Sequence, residues 1–152
     1  MTRTHLVTGA GSGIGAAVAD KLAARGDDLV LLARSEARAA ELVERFPGAL
    51  VFAADLADPA SLRVPRLERL DSVLHVAGVV DLGPVADQPA DRLREQIDVN
   101  LVAPAVLTRL TLTAVRRAHG TIVFVNSSAG LSASPEWSAY AASKFGLLGL
   151  AD

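Results

Sequence analysis

The chain has 152 residues, a formal charge of -2, 51% hydrophobic residues, 4% aromatic ones and no cysteine. That length suits one domain with a proper core and is short for two. The near-neutral charge leaves no basic footprint for nucleic acid or an acidic membrane surface, and the lack of cysteine removes disulfide and thiolate chemistry and fits a reducing, cytoplasmic setting.

The start, Met1 to Val7, is too short and too soon glycine-rich for a signal peptide. Leu6-Val7-Thr8 reads as a short apolar strand running into Gly9-Ala10-Gly11-Ser12-Gly13-Ile14-Gly15. A helix follows, with Ala16, Val18, Ala19, Leu22 and Ala23 on its apolar side and Gly26 closing it. Leu29 to Ala33 is a continuous apolar strand of the kind buried on both faces. Ser35 can cap a charged helix that ends before Pro47-Gly48, and a third strand, Leu50 to Ala54, stops at Asp55-Leu56. The Arg-rich, Pro-interrupted stretch Asp58 to Leu70 predicts a brief helix. Ser72 to Ala77 is the fourth strand, ending at Gly78.

A loop from Val79 to Gln88 precedes a long helix, Pro89 to Ala118, interrupted by Pro104. No apolar run approaches the roughly 18 residues of a spanning helix. Thr121 to Asn126 is the fifth strand, and a Ser/Gly/Ala/Pro loop leads from it to a last helix carrying Ser138-Ala139-Tyr140-Ala141-Ala142-Ser143-Lys144. Strands that alternate with helices and lack internal polar alternation predict an α/β fold: a parallel sheet covered on both faces, one domain over 1–152.

In such sheets ligands bind beyond the carboxyl ends of the strands. Gly9 to Gly15, Arg34, Asp55, Gly78 and Ser127 all fall at that edge. A glycine-rich strand-to-helix turn lets the backbone approach a pyrophosphate, which free amides and the helix dipole then hold. The bland alternative is a glycine-rich turn with no ligand. Tyr140 and Lys144, four apart on a helix, share one face about 6 Å apart along the axis. A free phenol titrates near 10, and a neighbouring ammonium favours its phenolate, so the pair can exchange a proton with an alcohol or ketone. Taken alone, the two would read as an ordinary helix surface pair. His5, His75 and His119 have no ligand spacing, and no metal is expected.

Thr8-Gly9-x-x-x-Gly13-Ile14-Gly15 together with Tyr140-x-x-x-Lys144 resembles the short-chain dehydrogenase/reductase family, from Thr4 to Asp152. Asp55-Leu56 matches the family's acidic residue near the adenine. His75-Val76-Ala77-Gly78 matches its Asn-Asn-Ala-Gly stretch in the last two residues only. Asn100 matches its helix asparagine, and Asn126-Ser127-Ser128-Ala129-Gly130 its serine segment. Ser127, thirteen residues before Tyr140 and three before Gly130, meets the family's spacing where Ser128 does not.

The resemblance implies a Rossmann-type doubly wound sheet of strand order 3-2-1-4-5 in three α/β/α layers. It implies an NAD(P)-dependent oxidoreductase that interconverts a secondary alcohol and a ketone or aldehyde. Gly9, Ser12, Gly13, Ile14, Gly15, Arg34, Asp55, Leu56, Ala77, Gly78, Tyr140 and Lys144 would bind the dinucleotide. Tyr140 would transfer the proton and Ser127 would hold the reacting oxygen. Lys144 would hold the nicotinamide ribose and ease ionisation of the tyrosine. Asn100 would hold a water.

Pro104, four residues after Asn100, has no N–H, so the Asn100 carbonyl lacks its usual helix partner and can accept from that water; a kink that serves packing alone is the other reading. Where a carboxylate would bind a ribose 2′-hydroxyl stands Ala33, followed by Arg34, which favours NADP(H), with NAD(H) possible. Ser12 tempers this, since NADP-preferring relatives often carry a basic residue there. Trp137 walls a substrate site or packs at the helix start. Apart from Arg34, the charge run to Arg45 reads as a solvated face.

The chain stops inside the tyrosine helix, where relatives continue with further strands and a substrate-covering segment. Were these 152 residues the whole molecule, strand five would be left as an exposed apolar edge, so an incomplete chain is expected. Two further readings are a dinucleotide-binding module without turnover and, less well matched to the length, a nucleotide-sugar epimerase relative. The family also implies a dimer or tetramer packed through the helices around Asn100 and Tyr140.

Overall fold

The unbroken apolar run Leu29–Ala33 lies inside the molecule, each of its residues buried, as a strand covered on both faces must be. A computed structural model describes residues 2–152. In chain order the elements are β1 (Thr4–Thr8), α1 (Gly13–Ala24), β2 (Asp28–Ala33), α2 (Glu36–Arg45), β3 (Leu50–Ala53) and β4 (Ser72–His75). They continue with α3 (Ala90–Ile97), α4 (Ala103–Ala118), β5 (Thr121–Phe124) and α5 (Ser138–Ala151). The strands form one parallel sheet in the order β3-β2-β1-β4-β5, the doubly wound order that the resemblance implies.

Two apolar layers sandwich this sheet. On one face Val7, Leu29 and Leu31 meet Ala19 of α1 and Ala39, Leu42 and Phe46 in and after α2. On the other, Leu6, Val30 and Val73 meet Leu107, Ala114 and Val115 of α4. Small and branched side chains do most of this work, because the chain has few aromatics. Helix ends follow local chemistry. Ser35 caps α2 by accepting from the Arg38 N–H at 3.4 Å. After α1, bonds from the Gly26 N–H to the Ala23 carbonyl and from the Asp27 N–H to the Leu22 carbonyl complete a Schellman turn.

Several elements differ from the sequence-based expectation. Ala23 is exposed, because the buried stripe of α1 runs through Gly15, Ala16 and Ala19. The stretch Asp58 to Leu70 forms only a three-residue 3₁₀ turn, Pro59–Ser61, since Pro65 and an absence of sustained periodicity stop a helix. Strands β4 and β5 end at His75 and Phe124, before Ala77 and Asn126, where the backbone turns to other partners.

The break in the long helix is a π turn, Asp98–Val102, with the Ala103 N–H bonded to the Asp98 carbonyl five residues back. It lies just before Pro104, which supplies no N–H to the Asn100 carbonyl. The whole helical run Ala90–Ala118 has 29 residues and a stretch of mean hydropathy 1.2, so by length and composition it could cross a membrane, contrary to expectation. Here Ala103, Leu107, Ala114 and Val115 of that run are buried, as in the core helix of a globular domain.

Candidate active site

The carboxyl ends of the strands frame a cleft of about 640 Å³. Gly9 to Gly15 line it after β1, Ala33 and Arg34 at the end of β2, Asp55 and Leu56 after β3, Ala77 and Gly78 after β4. At Gly9 the backbone takes φ 73°, and a Cβ there would lie 3.0 Å from the Ala77 backbone. At Gly15 a Cβ would fall 2.1 Å from the Gly9 carbonyl oxygen, so the turn closes on itself only without side chains. Ser12 precedes α1 in extended conformation but makes no side-chain cap bond. The amides at that helix start are therefore without a side-chain partner from Ser12.

Arg34 is exposed and makes no ion pair among the described residues. The Asp55 carboxylate accepts the Ala57 N–H at 2.9 Å through one oxygen, leaving the other free. These residues fit a nucleotide: glycine backbone for phosphates, a free guanidinium beside the second strand, a carboxylate beside the third.

The second cluster is built from side chains of distant segments. Asn100, buried in the π turn, accepts the Val79 N–H at 2.8 Å and donates to the Val79 carbonyl at 2.8 Å and to Ser143 Oγ at 3.1 Å. Ser143 Oγ in turn donates to the Tyr140 carbonyl at 2.7 Å. One amide thus ties the loop after β4 to the helix carrying Tyr140.

Lys144, on the same face of α5, is buried, and its Nζ lies 5.8 Å from the centre of the Tyr140 ring while donating to the Val125 carbonyl at 2.9 Å. Burial pushes the Lys144 ammonium below its usual value. Trp137 meets the Tyr140 ring edge-on at 5.8 Å, so it packs against the tyrosine at the helix start.

Ser127 is half-buried and Ser128 exposed. Ser127 Oγ accepts the Ala129 N–H at 3.2 Å, which leaves its own O–H free to donate. Gly78 joins the two clusters: a Cβ there would stand 3.2 Å from Asn100 Oδ1 and 3.9 Å from Lys144 Nζ. The cleft lining includes Val79 and Val99 but neither Ser127 nor Tyr140.

His75, standing where the family's Asn-Asn-Ala-Gly stretch has its first asparagine, is buried, stacked on Phe124 at 4.8 Å, with Nε2 2.9 Å from Thr108 Oγ1. Its burial pushes it down to about 4.

Residues 3–152 match a family model described as short chain dehydrogenase. The chain belongs to the short-chain dehydrogenase/reductase family. A short chain dehydrogenase of Pseudocercospora fijiensis is 35% identical over 158 residues, which cover 93% of this chain and 50% of that protein. Another, from Penicillium brasilianum, is 35% identical over 153 residues, covering 95% and 58%. The chain spans about half the length of the curated relatives it matches.

Among solved structures, a short chain dehydrogenase from Pseudomonas syringae superposes with TM-score 0.86 at 34% identity over 97% of this chain and 67% of its own. One from Escherichia coli CFT073, complexed with NADPH, gives TM-score 0.82 at 32% identity, covering 97% and 68%. An alcohol dehydrogenase from Thermococcus sibiricus, complexed with 5-hydroxy-NADP, gives TM-score 0.85 at 26% identity, covering 99% and 68%.

Several residues at this candidate site lie outside the expectations drawn from the sequence. Thr8 Oγ1 accepts the N–H groups of Val76 and Ala77, both at 3.0 Å, locking the ends of β1 and β4 together. Arg38 and Arg45, read as a solvated face, line the cleft with Arg34. Arg38 and Arg45, about two turns apart along α2, share a helix face, and that spacing was the available signal. Ser143 was visible only as a letter between Tyr140 and Lys144; its bond to Asn100 spans 43 positions.

Proposed function

We propose that the chain carries the dinucleotide site and the proton-transfer group of an NADP(H)-dependent oxidoreductase that interconverts a secondary alcohol and a ketone or aldehyde. The observation that supports this most is the bond path from Asn100 through Ser143 to the Tyr140 backbone, with Lys144 beside the tyrosine ring and Gly78 against both Asn100 and Lys144. Gly13 to Gly15 would hold the pyrophosphate, Asp55 the adenine end and Arg34 the 2′-phosphate. NADP(H), when bound, supplies or takes the hydride.

The chain's own residues do the rest. The Tyr140 hydroxyl gives its proton to the carbonyl oxygen in reduction and takes it back in oxidation. Ser127, whose O–H is unspent, donates to the same oxygen and steadies its developing charge. The Lys144 ammonium favours the phenolate that remains. The Asn100 carbonyl, denied the Pro104 N–H, accepts a water that links Lys144 to solvent. Exposed Phe145, Leu148 and Leu150 on α5 fit a homo-oligomeric contact through that helix, which light scattering of the purified protein would reveal.

A non-catalytic binding module is the second reading, favoured by a cleft whose lining omits Ser127 and Tyr140. Titrating NADPH fluorescence and then adding a panel of ketones separates the two. Oxidation of NADPH on ketone addition supports the enzyme, and tight binding without oxidation supports the module. A higher kcat/KM with NAD(H) than with NADP(H) would refute the cofactor assignment.

A further inference from the structure

Three guanidiniums line the cleft, and they are not equivalent. Arg45 is anchored to Asp20 of α1 at 2.7 Å. Arg34 has no ion pair among the described residues. Arg38 Nη1 donates to Glu41 Oε2 at 2.6 Å, and Glu41 itself lines the cleft. The wall thus holds one free cation, one anchored cation and one held by a carboxylate of the same helix.

We propose that Glu41 is a specificity-determining residue that restrains binding of a 2′-phosphate by holding Arg38. This rests on the dinucleotide reading above. The Arg38–Glu41 pair is exposed, with side chains 62% and 60% accessible, so water and ions compete for it and it exchanges easily. A phosphate beside Arg34 offers Arg38 a two-pronged acceptor that Glu41 matches only in part. Moving Arg38 to that phosphate breaks its bond to Glu41, and that loss offsets part of the gain. A cofactor with a bare 2′-hydroxyl leaves the Arg38–Glu41 pair in place and meets no such cost. Glu41 therefore narrows the gap between NADP(H) and NAD(H), so that both can be used.

The test compares the full chain with E41Q, R38Q and the double variant, with folding checked by circular dichroism. Affinities for NADPH and NADH are measured by fluorescence titration, and those for 2′,5′-ADP and 5′-ADP by calorimetry. E41Q should raise the NADPH-to-NADH affinity ratio about fivefold, and the 2′,5′-ADP-to-5′-ADP ratio alike. R38Q should lower both by about fivefold. In the R38Q background the E41Q gain should shrink below about twofold, because Glu41 acts through Arg38.

An unchanged ratio in E41Q, or a full gain that persists without Arg38, overturns the inference alone. Wild-type protein that binds neither dinucleotide overturns the underlying reading as well.

Discussion

At the ends of β1, β2 and β3 the site is mostly backbone: glycines that leave no room for a side chain, helix-start amides and one free guanidinium. At the ends of β4 and β5 it is a set of buried polar side chains, Asn100, Ser143 and Lys144, bonded across segments far apart in the chain. The first half is backed by an apolar layer around β2 and by α2, which Ser35 caps. The second half hangs on a helix whose hydrogen bonds shift to five-residue spacing beside Asn100. A binding surface that must fit a flat, charged nucleotide is made by removing atoms. A proton-transfer group must be aimed, and aiming takes directional bonds. Loss of a member should therefore damage the two halves differently.

The largest effect expected is from Tyr140→Phe. Turnover should fall about 10³-fold while the NADPH dissociation constant stays within about twofold, measured by steady-state kinetics and fluorescence titration. Equal losses of both would mean that the halves are not separable. Gly15→Ala strikes the other half: its Cβ would meet the Gly9 oxygen, so the turn must open. Stability should drop by about 3 kcal/mol in urea unfolding, and NADPH binding should weaken with it. Unaltered binding would remove the glycine turn from the site.

Acid should find the polar half first. His75 is held near 4 by burial, against 6.5 for the free side chain. Between those values the unfolded chain binds the extra proton, so stability is complete above about pH 6.5 and falls as pH drops toward 4, by about 3 kcal/mol in all. His75→Leu should flatten that part of the slope in urea unfolding run at each pH; an identical slope would locate the acid sensitivity elsewhere. The smallest effect belongs to Pro104→Ala. Restoring an N–H four residues after Asn100 should convert the π turn toward regular helix and slow turnover about threefold. Turnover unchanged at every pH would leave the break as a packing feature.

Much of the first half was legible because its signals are local. The run Leu29–Ala33, the glycine spacing and Ser35 each act within a few residues of where they stand. The strand order and the choice of Tyr140, Lys144 and Asn100 came from the resemblance, and the alternation of elements alone would have left the order open. The gaps lie where partners are remote. Nothing near Thr8 announces that its hydroxyl accepts from Val76 and Ala77, 68 and 69 positions away. Arg38 looked solvated because helix periodicity marks the face away from the core without marking what borders it. Asp58 to Leu70 misled because its prolines permit a turn and prevent its growth.

The most direct test of the account is a crystal structure of this chain grown with NADP⁺. It should place the pyrophosphate on the amides of Gly13 to Gly15 and the nicotinamide ring within about 5 Å of the Tyr140 oxygen, on the side that Ser127 faces. A dinucleotide seated elsewhere, or a Tyr140 oxygen turned away from its ring and beyond about 10 Å, would contradict the claim that the two halves build one site.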